Sequence, residues 1–186
     1  MTDIDPDLIL GRRGGLPEDL RYLVERFPRG DWPGHANLGG MAEFWLQRHD
    51  MFRELGGMLT QSVSDYREGR LEAQPFASFF VPRLQFFLQQ LNGHHQIEDM
   101  HYFPVFAAAE TGLKRGFDLL DSDHHVIHEA LERNAHGANT FLGKLLEGRD
   151  AARFAADAYA GDTEHLVAML LRHLEDEEDL IVPGIL

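Results

Sequence analysis

Seven residues of this chain have the types and spacing to hold cations: His49, His94, Glu98, His124, His128, His173 and Glu177. A helix advances about 100° per residue, so side chains four apart share a face one turn up. His94 and Glu98 stand in that relation, as do His124 and His128, and His173 and Glu177. His49, in Gln47-Arg48-His49-Asp50, is alone. Around the first pair the sequence is apolar, with Phe86, Phe87 and Leu91 before it and Phe103, Val105 and Phe106 after it. A His/Glu pair on such a face costs stability unless something binds it.

The ligand types define the chemistry. Imidazoles and carboxylates without thiolates suit iron, manganese or zinc rather than copper(I) or calcium. Five imidazoles and two carboxylates exceed what one tetrahedral ion uses. Two ions bridged by the two carboxylates use the set naturally, and the negative charge offsets the cations in a buried place. A nitrogen-rich pair of ions leaves a coordination position open to a small diatomic ligand. His95 lies three before Glu98 and His125 three before His128, so both compete for the same roles. Asp50, Asp99 and Asp123 each adjoin a candidate ligand. Neighbours on a helix point about 100° apart, so these carboxylates serve an adjacent helix or solvent. A lone histidine on a helix is ordinarily a packed or surface residue, and His35, His136 and His165 read that way. Joint register across several helices separates the seven from that background.

The elements that must position them are helices. From Met41 to about Gly69, the residues Phe44, Trp45, His49, Phe52, Leu55, Leu59 and Val63 recur at threes and fours. A second helix is predicted over about 75–109, with Asn92-Gly93 as a weak point and Pro104 within it or at its bend. A third spans about 113–147, carrying Leu120, Ile127, Leu131 and Phe141 inward. The fourth spans about 151–179, with Phe154, Leu166, Met169 and Leu170 inward and Pro183 closing it. Residues 1–40 are rich in Gly and Pro and contain one short helix over about 17–27. The expected fold is all-α: an antiparallel up-down four-helix bundle over 41–186, with an irregular N-terminal arm over 1–40 packed on it.

Composition narrows the function. A chain of 186 residues with a formal net charge of −14 is a poor partner for nucleic acid or an anionic membrane. No run is apolar over the length a membrane helix needs, and the acidic start lacks the order of a signal peptide, so the cytoplasm is expected. Absence of Cys excludes disulfides, thiolate zinc sites and iron–sulfur clusters.

Taken in order, a lone His, a His-x-x-x-Glu pair, a His-x-x-x-His pair and a final His with a carboxylate resemble the hemerythrin family, in its bacterial branch of His-His-Glu cation-binding domains. His49, His94 with Glu98, His124 with His128, and His173 fill these places, and the resemblance covers about residues 41–183. Glu98-Asp99, followed by Tyr102-Phe103-Pro104, resembles an acidic-then-Phe-Pro ending common in these domains, and Glu177–Pro183 echoes it. The family pattern favours His94 over His95 and His124 over His125. Oxygen-carrying relatives end on an Asp five residues after the last His. Here that position is Glu178, and the geometrically better Glu177 lies four after, as in many bacterial relatives. The resemblance implies two iron ions bridged by carboxylates and an oxo or hydroxo group, with zinc or manganese as substitutes. It further implies reversible binding of dioxygen or another small ligand, for storage, delivery or sensing, behind apolar neighbours such as Trp45, Phe52, Phe87, Ile127 and Met169. A di-iron enzyme acting on peroxide or nitric oxide, with His101 or Tyr102 as an added acid, is the alternative; a binding module with a structural metal is a third reading. No catalytic residue is assigned, and the sequence names no protein partner.

Overall fold

The structure, a computed structural model, describes residues 8–186. No strand occurs among them: the chain is all-helical. The amphipathic runs become α2 (Gly40–Arg67), α3 (Ala73–Ile97), α5 (Lys114–Lys144) and α6 (Arg149–Ile185). A π-turn over Glu98–Tyr102 joins α3 to the short α4 (Phe103–Ala109). In the arm, a 3-10 turn (Glu18–Leu20) leads into α1 (Tyr22–Arg26), and Pro28 stands between α1 and a second 3-10 turn (Arg29–Asp31). No helix is long and apolar enough to cross a membrane among the described residues. Gly69 (φ +75°) leaves α2, and Gly148 (φ +126°) precedes α6. Both need backbone that side-chain-bearing residues rarely adopt.

Three local expectations change. Asn92-Gly93 lies in regular helix, and the distortion falls instead at Glu98–Tyr102, where a turn of i→i+5 bonding replaces the α pattern. Pro183 does not close α6, which continues to Ile185. Proline forfeits one hydrogen bond there, but Leu180, Ile181 and Val182 are buried beside it and hold the last turn. Phe154, expected inward, is 80% exposed; Ala152 and Ala156 take the buried positions on its helix.

By contacts the chain divides into two compact units. One comprises residues 1–50, 95–126 and 169–186. Its core is Leu16, Leu20, Trp45, Phe103, Leu113, Phe117, Leu120, Leu180 and Ile181. The arm therefore contributes Leu16 and Leu20 to the same apolar cluster as the long helices. The other unit comprises 51–94 and 127–168. Aromatic rings fill it: Phe76 stacks on Phe80 at 4.9 Å and meets Phe141 at 5.2 Å, and Phe52 meets Phe87 edge-on at 6.3 Å. Offset and edge-on contacts of this kind add to the area each ring buries. A buried polar knot there is satisfied internally, with the Tyr159 hydroxyl donating to Asn134 Oδ1 (2.9 Å) and Asn134 Nδ2 donating to Thr163 Oγ1 (3.1 Å).

Leu120 is fully buried at the centre of the first unit's core. Replacing it by Ala removes apolar contact and leaves a cavity, so Leu120→Ala lowers the unfolding free energy by about 2–5 kcal/mol. Denaturant titration of the two proteins measures this; a loss below about 1 kcal/mol contradicts the packing described.

Candidate metal centre

Five elements of the first unit bring their donors into its interior: α2 supplies His49, the end of α3 supplies His95, the π-turn supplies Glu98, α5 supplies His124, and α6 supplies His173 and Glu177. All six are buried, and His49, His173 and Glu177 are entirely so. His95, His124 and His173 each offer a ring nitrogen within 4.8 Å of the others. The His95 and His124 rings stack at 4.0 Å and 9°, and His124 Nε2 lies 3.1 Å from His173 Nε2. His49, Glu98 and Glu177 likewise converge within 4.8 Å.

The two carboxylates stand between these groups. Glu177 Oε2 is 3.4 Å from His49 Nε2 and 3.6 Å from His173 Nε2, while Glu98 Oε2 is 3.6 Å from His124 Nε2. Glu177 thus faces two imidazoles and Glu98 one, across gaps where a cation would accept lone pairs from both sides. Neither oxygen of Glu177 has a hydrogen-bond partner among the described residues. Buried carboxylates are ordinarily satisfied, and a cation is the partner this donor set suits.

A ring of outer carboxylates fixes the imidazoles. Asp99 Oδ1 accepts from His124 Nδ1 (2.6 Å), Glu178 Oε1 from His49 Nδ1 (2.9 Å), and Asp123 Oδ2 approaches His173 Nδ1 at 3.3 Å. With the proton held on Nδ1, the Nε2 lone pair of each ring turns inward, as a metal requires. Asp99 and Asp123 each serve a histidine of a different helix, as the 100° step between neighbours demands. Asp50 is exposed.

Burial dominates the protonation of this site. It drives the His173 imidazolium down to a pKa of about 3, so the ring is neutral. It pushes the Glu98 and Glu177 carboxyls well above the usual carboxylate range, and the charge of Glu98 pushes Glu177 further. Burial also pushes Asp123 upward, but hydrogen bonds from His173 and Arg13 outweigh it and hold the group below its ordinary value.

Of the seven residues singled out by spacing, His49, Glu98, His124, His173 and Glu177 come together in this unit. His94 falls in the other unit, at the end of its 51–94 stretch, with its ring 5.2 Å from Phe52. His128 departs from the expectation. It lies in the other unit, its side chain is 56% exposed, and it pairs with Glu132 at 3.3 Å. The inward line of α5 runs through Leu120, His124, Ile127 and Leu131, all buried; His128 is rotated about 60° or more from its centre. His125 is exposed as well, its Nδ1 against Asp121 O (2.9 Å).

His95 is the candidate ligand the spacing argument set aside. His94 precedes Glu98 by four and His95 by three, so the tandem pair straddles the carboxylate, about 40° to one side and 60° to the other. That arithmetic places His95 on an inner face too. Glu178, the second candidate for the last carboxylate, is buried but turned to His49 Nδ1 and to Arg29 Nη1 (2.6 Å). His101 is exposed, and the Tyr102 ring packs on Trp45 at 4.9 Å.

Searches among curated proteins and among solved structures return no significant match. A scan against protein families does: residues 40–185 match the hemerythrin HHE cation-binding domain. That span takes in every donor described above. With these buried imidazoles and carboxylates in place, the chain belongs to the hemerythrin HHE cation-binding family.

Proposed function

We propose that this chain is a non-haem di-iron protein that binds dioxygen or another small diatomic ligand, for storage, delivery or sensing. The observation that carries the reading is the pair of buried donor groups with Glu98 and Glu177 between them. One ion would be held by His95, His124 and His173. The other would be held by His49, Glu98 and Glu177. Iron, when bound, supplies electrons and an open coordination position. The chain's own residues keep His173 neutral and orient the rings, and buried Trp45 and Met169 in the same unit exclude water. The antiparallel four-helix arrangement of the family is the frame we assign to α2, α3 with α4, α5 and α6. Of the two added acids that the enzyme reading invokes, His101 is exposed and Tyr102 packs on Trp45.

Anaerobic purification, a metal count per chain, and visible absorption on adding oxygen test this reading. About two irons per chain with a reversible oxygen-dependent band is the expected outcome. Zinc alone, or iron inert to oxygen, overturns it, and irreversible oxidation with consumption of peroxide replaces carriage by an enzyme.

The ligand assignment is tested separately. His95→Ala lowers bound metal by about half, whereas His128→Ala leaves it unchanged, because His128 is at the surface; equal losses in both variants would falsify the assignment.

Metal uptake depends on pH with a definite sign. The raised Glu98 and Glu177 carboxyls retain protons where exposed carboxylates are ionised, and a cation must displace them. His173, with its pKa lowered to about 3, is already neutral above that pH and releases none. Uptake therefore releases protons, and affinity rises with pH through and above the ordinary carboxylate range. Zinc titration calorimetry in buffers of different ionisation enthalpy measures the release. An affinity independent of pH across that range contradicts the protonated pair.

A further inference from the structure

The N-terminal arm carries two arginines whose partners are the carboxylates that orient the candidate ligand histidines. Arg13 is 6% exposed, although it lies in a Gly-rich segment. Its Nη1 and Nη2 grip both oxygens of Asp123 (Nη1–Oδ1 2.8 Å), and its Nε donates to Asp176 Oδ2 (2.7 Å). Asp123 Oδ2 faces His173 Nδ1. Arg29 repeats the device on the other donor group. Its Nη1 donates to Glu178 Oε2 (2.6 Å), its Nε to Asp179 Oδ1 (2.6 Å) and its Nη2 to Glu175 O (2.8 Å). Glu178 in turn accepts from His49 Nδ1 with its other oxygen.

We propose that the arm is a clamp on the metal centre, in which Arg13 and Arg29 act as positioning residues for His173 and His49 through Asp123 and Glu178. The inference rests on the metal-binding reading above. A planar guanidinium fixes a carboxylate in two directions at once. That leaves the carboxylate one way to meet the imidazole, and the imidazole one way to present Nε2. The same bonds tie the arm to α5 and α6, so arm docking and metal retention are one linked equilibrium: each stabilises the other by the same factor. The carboxylate of Asp99, which serves His124, lies on the π-turn and takes no arm arginine among the described contacts. His124 is therefore an internal reference.

The test uses the full chain with zinc as a diamagnetic probe. Long-range nitrogen–proton spectra of the imidazoles are recorded with and without metal, and zinc release to a chelator is timed. Arg29 is partly exposed, so Arg29→Gln is expected to fold. It shifts the His49 Nδ1 signal, leaves that of His124 in place, and speeds zinc release about tenfold or more; Arg29→Lys restores part of the loss. Arg13→Lys keeps the buried charge, loses the two-pronged grip, and shifts the His173 signal. Arg115→Ala is the control: it breaks the exposed Asp19–Arg115 pair that holds the same arm to α5 without touching any ligand-orienting carboxylate. Unshifted His49 and His173 signals, or release from Arg115→Ala as fast as from Arg29→Gln, overturn the clamp. If the wild-type chain retains no metal, the metal-binding reading fails on its own, and the metal-free spectra still decide whether the arginines position the rings.

Discussion

The constraint from which the structure follows is the burial of two carboxylates that face each other's histidines. Glu98 and Glu177 are almost wholly removed from water, and burying an ionised carboxylate is costly unless a cation offsets it. An apolar core of Phe, Leu and Ile has no use for such groups. Their presence together is explained by an ion, whose remaining ligands would be imidazoles, donors that add no negative charge. The depressed His173 and the raised Glu98 and Glu177 are two faces of that one environment: burial disfavours whichever form is charged.

Outside the donors, charge is restored in alternating layers. The imidazoles of His124, His173 and His49 meet Asp99, Asp123 and Glu178, and of these carboxylates Asp123 is met in turn by Arg13 and Glu178 by Arg29. Asp176, lacking a histidine among its described partners, is shared by Arg13 and Arg172. A layered arrangement lets each buried charge find an opposite neighbour within hydrogen-bond reach, which is the condition under which buried ion pairs persist. It also explains why α6 is buried almost all round from His173 to Pro183: the core covers one side and the arm covers the other.

Much of this is legible in the sequence, for particular reasons. The periodicity of Leu59, Val63, Leu120, Ile127 and Leu131 shows the long helices because burial selects every third or fourth residue. Five of the seven donors follow from the same rule, since a ligand must share the face the core shares. His128 fails it because four residues from His124 moves away from the inward line, whereas Ile127 stays on it. His95 escapes it because a π-turn and a straddled carboxylate admit a histidine at three as well as at four. Pro183 misleads because packing of Leu180 to Val182 overrides the local preference of a proline. Arg13 carries no local signal at all: its partners Asp123 and Asp176 are 110 and 163 residues away, and only the folded chain brings them together.

That last point changes how the arm is understood. By composition it is a Gly- and Pro-rich lead-in to the helices, and such segments are ordinarily surface covering. Leu16 and Leu20 give it an apolar anchor, but apolar contact is non-directional and does not select a register. The guanidinium of Arg13, with its fixed fork, does select one, because only one placement satisfies Asp123 and Asp176 together. In the proposed clamp, docking of the arm is coupled to the alignment of Asp123 and Glu178 and, through them, of the His173 and His49 rings. A metal bound at the centre stabilises the far end of that chain of contacts, through the same hydrogen bonds by which the arm stabilises the metal.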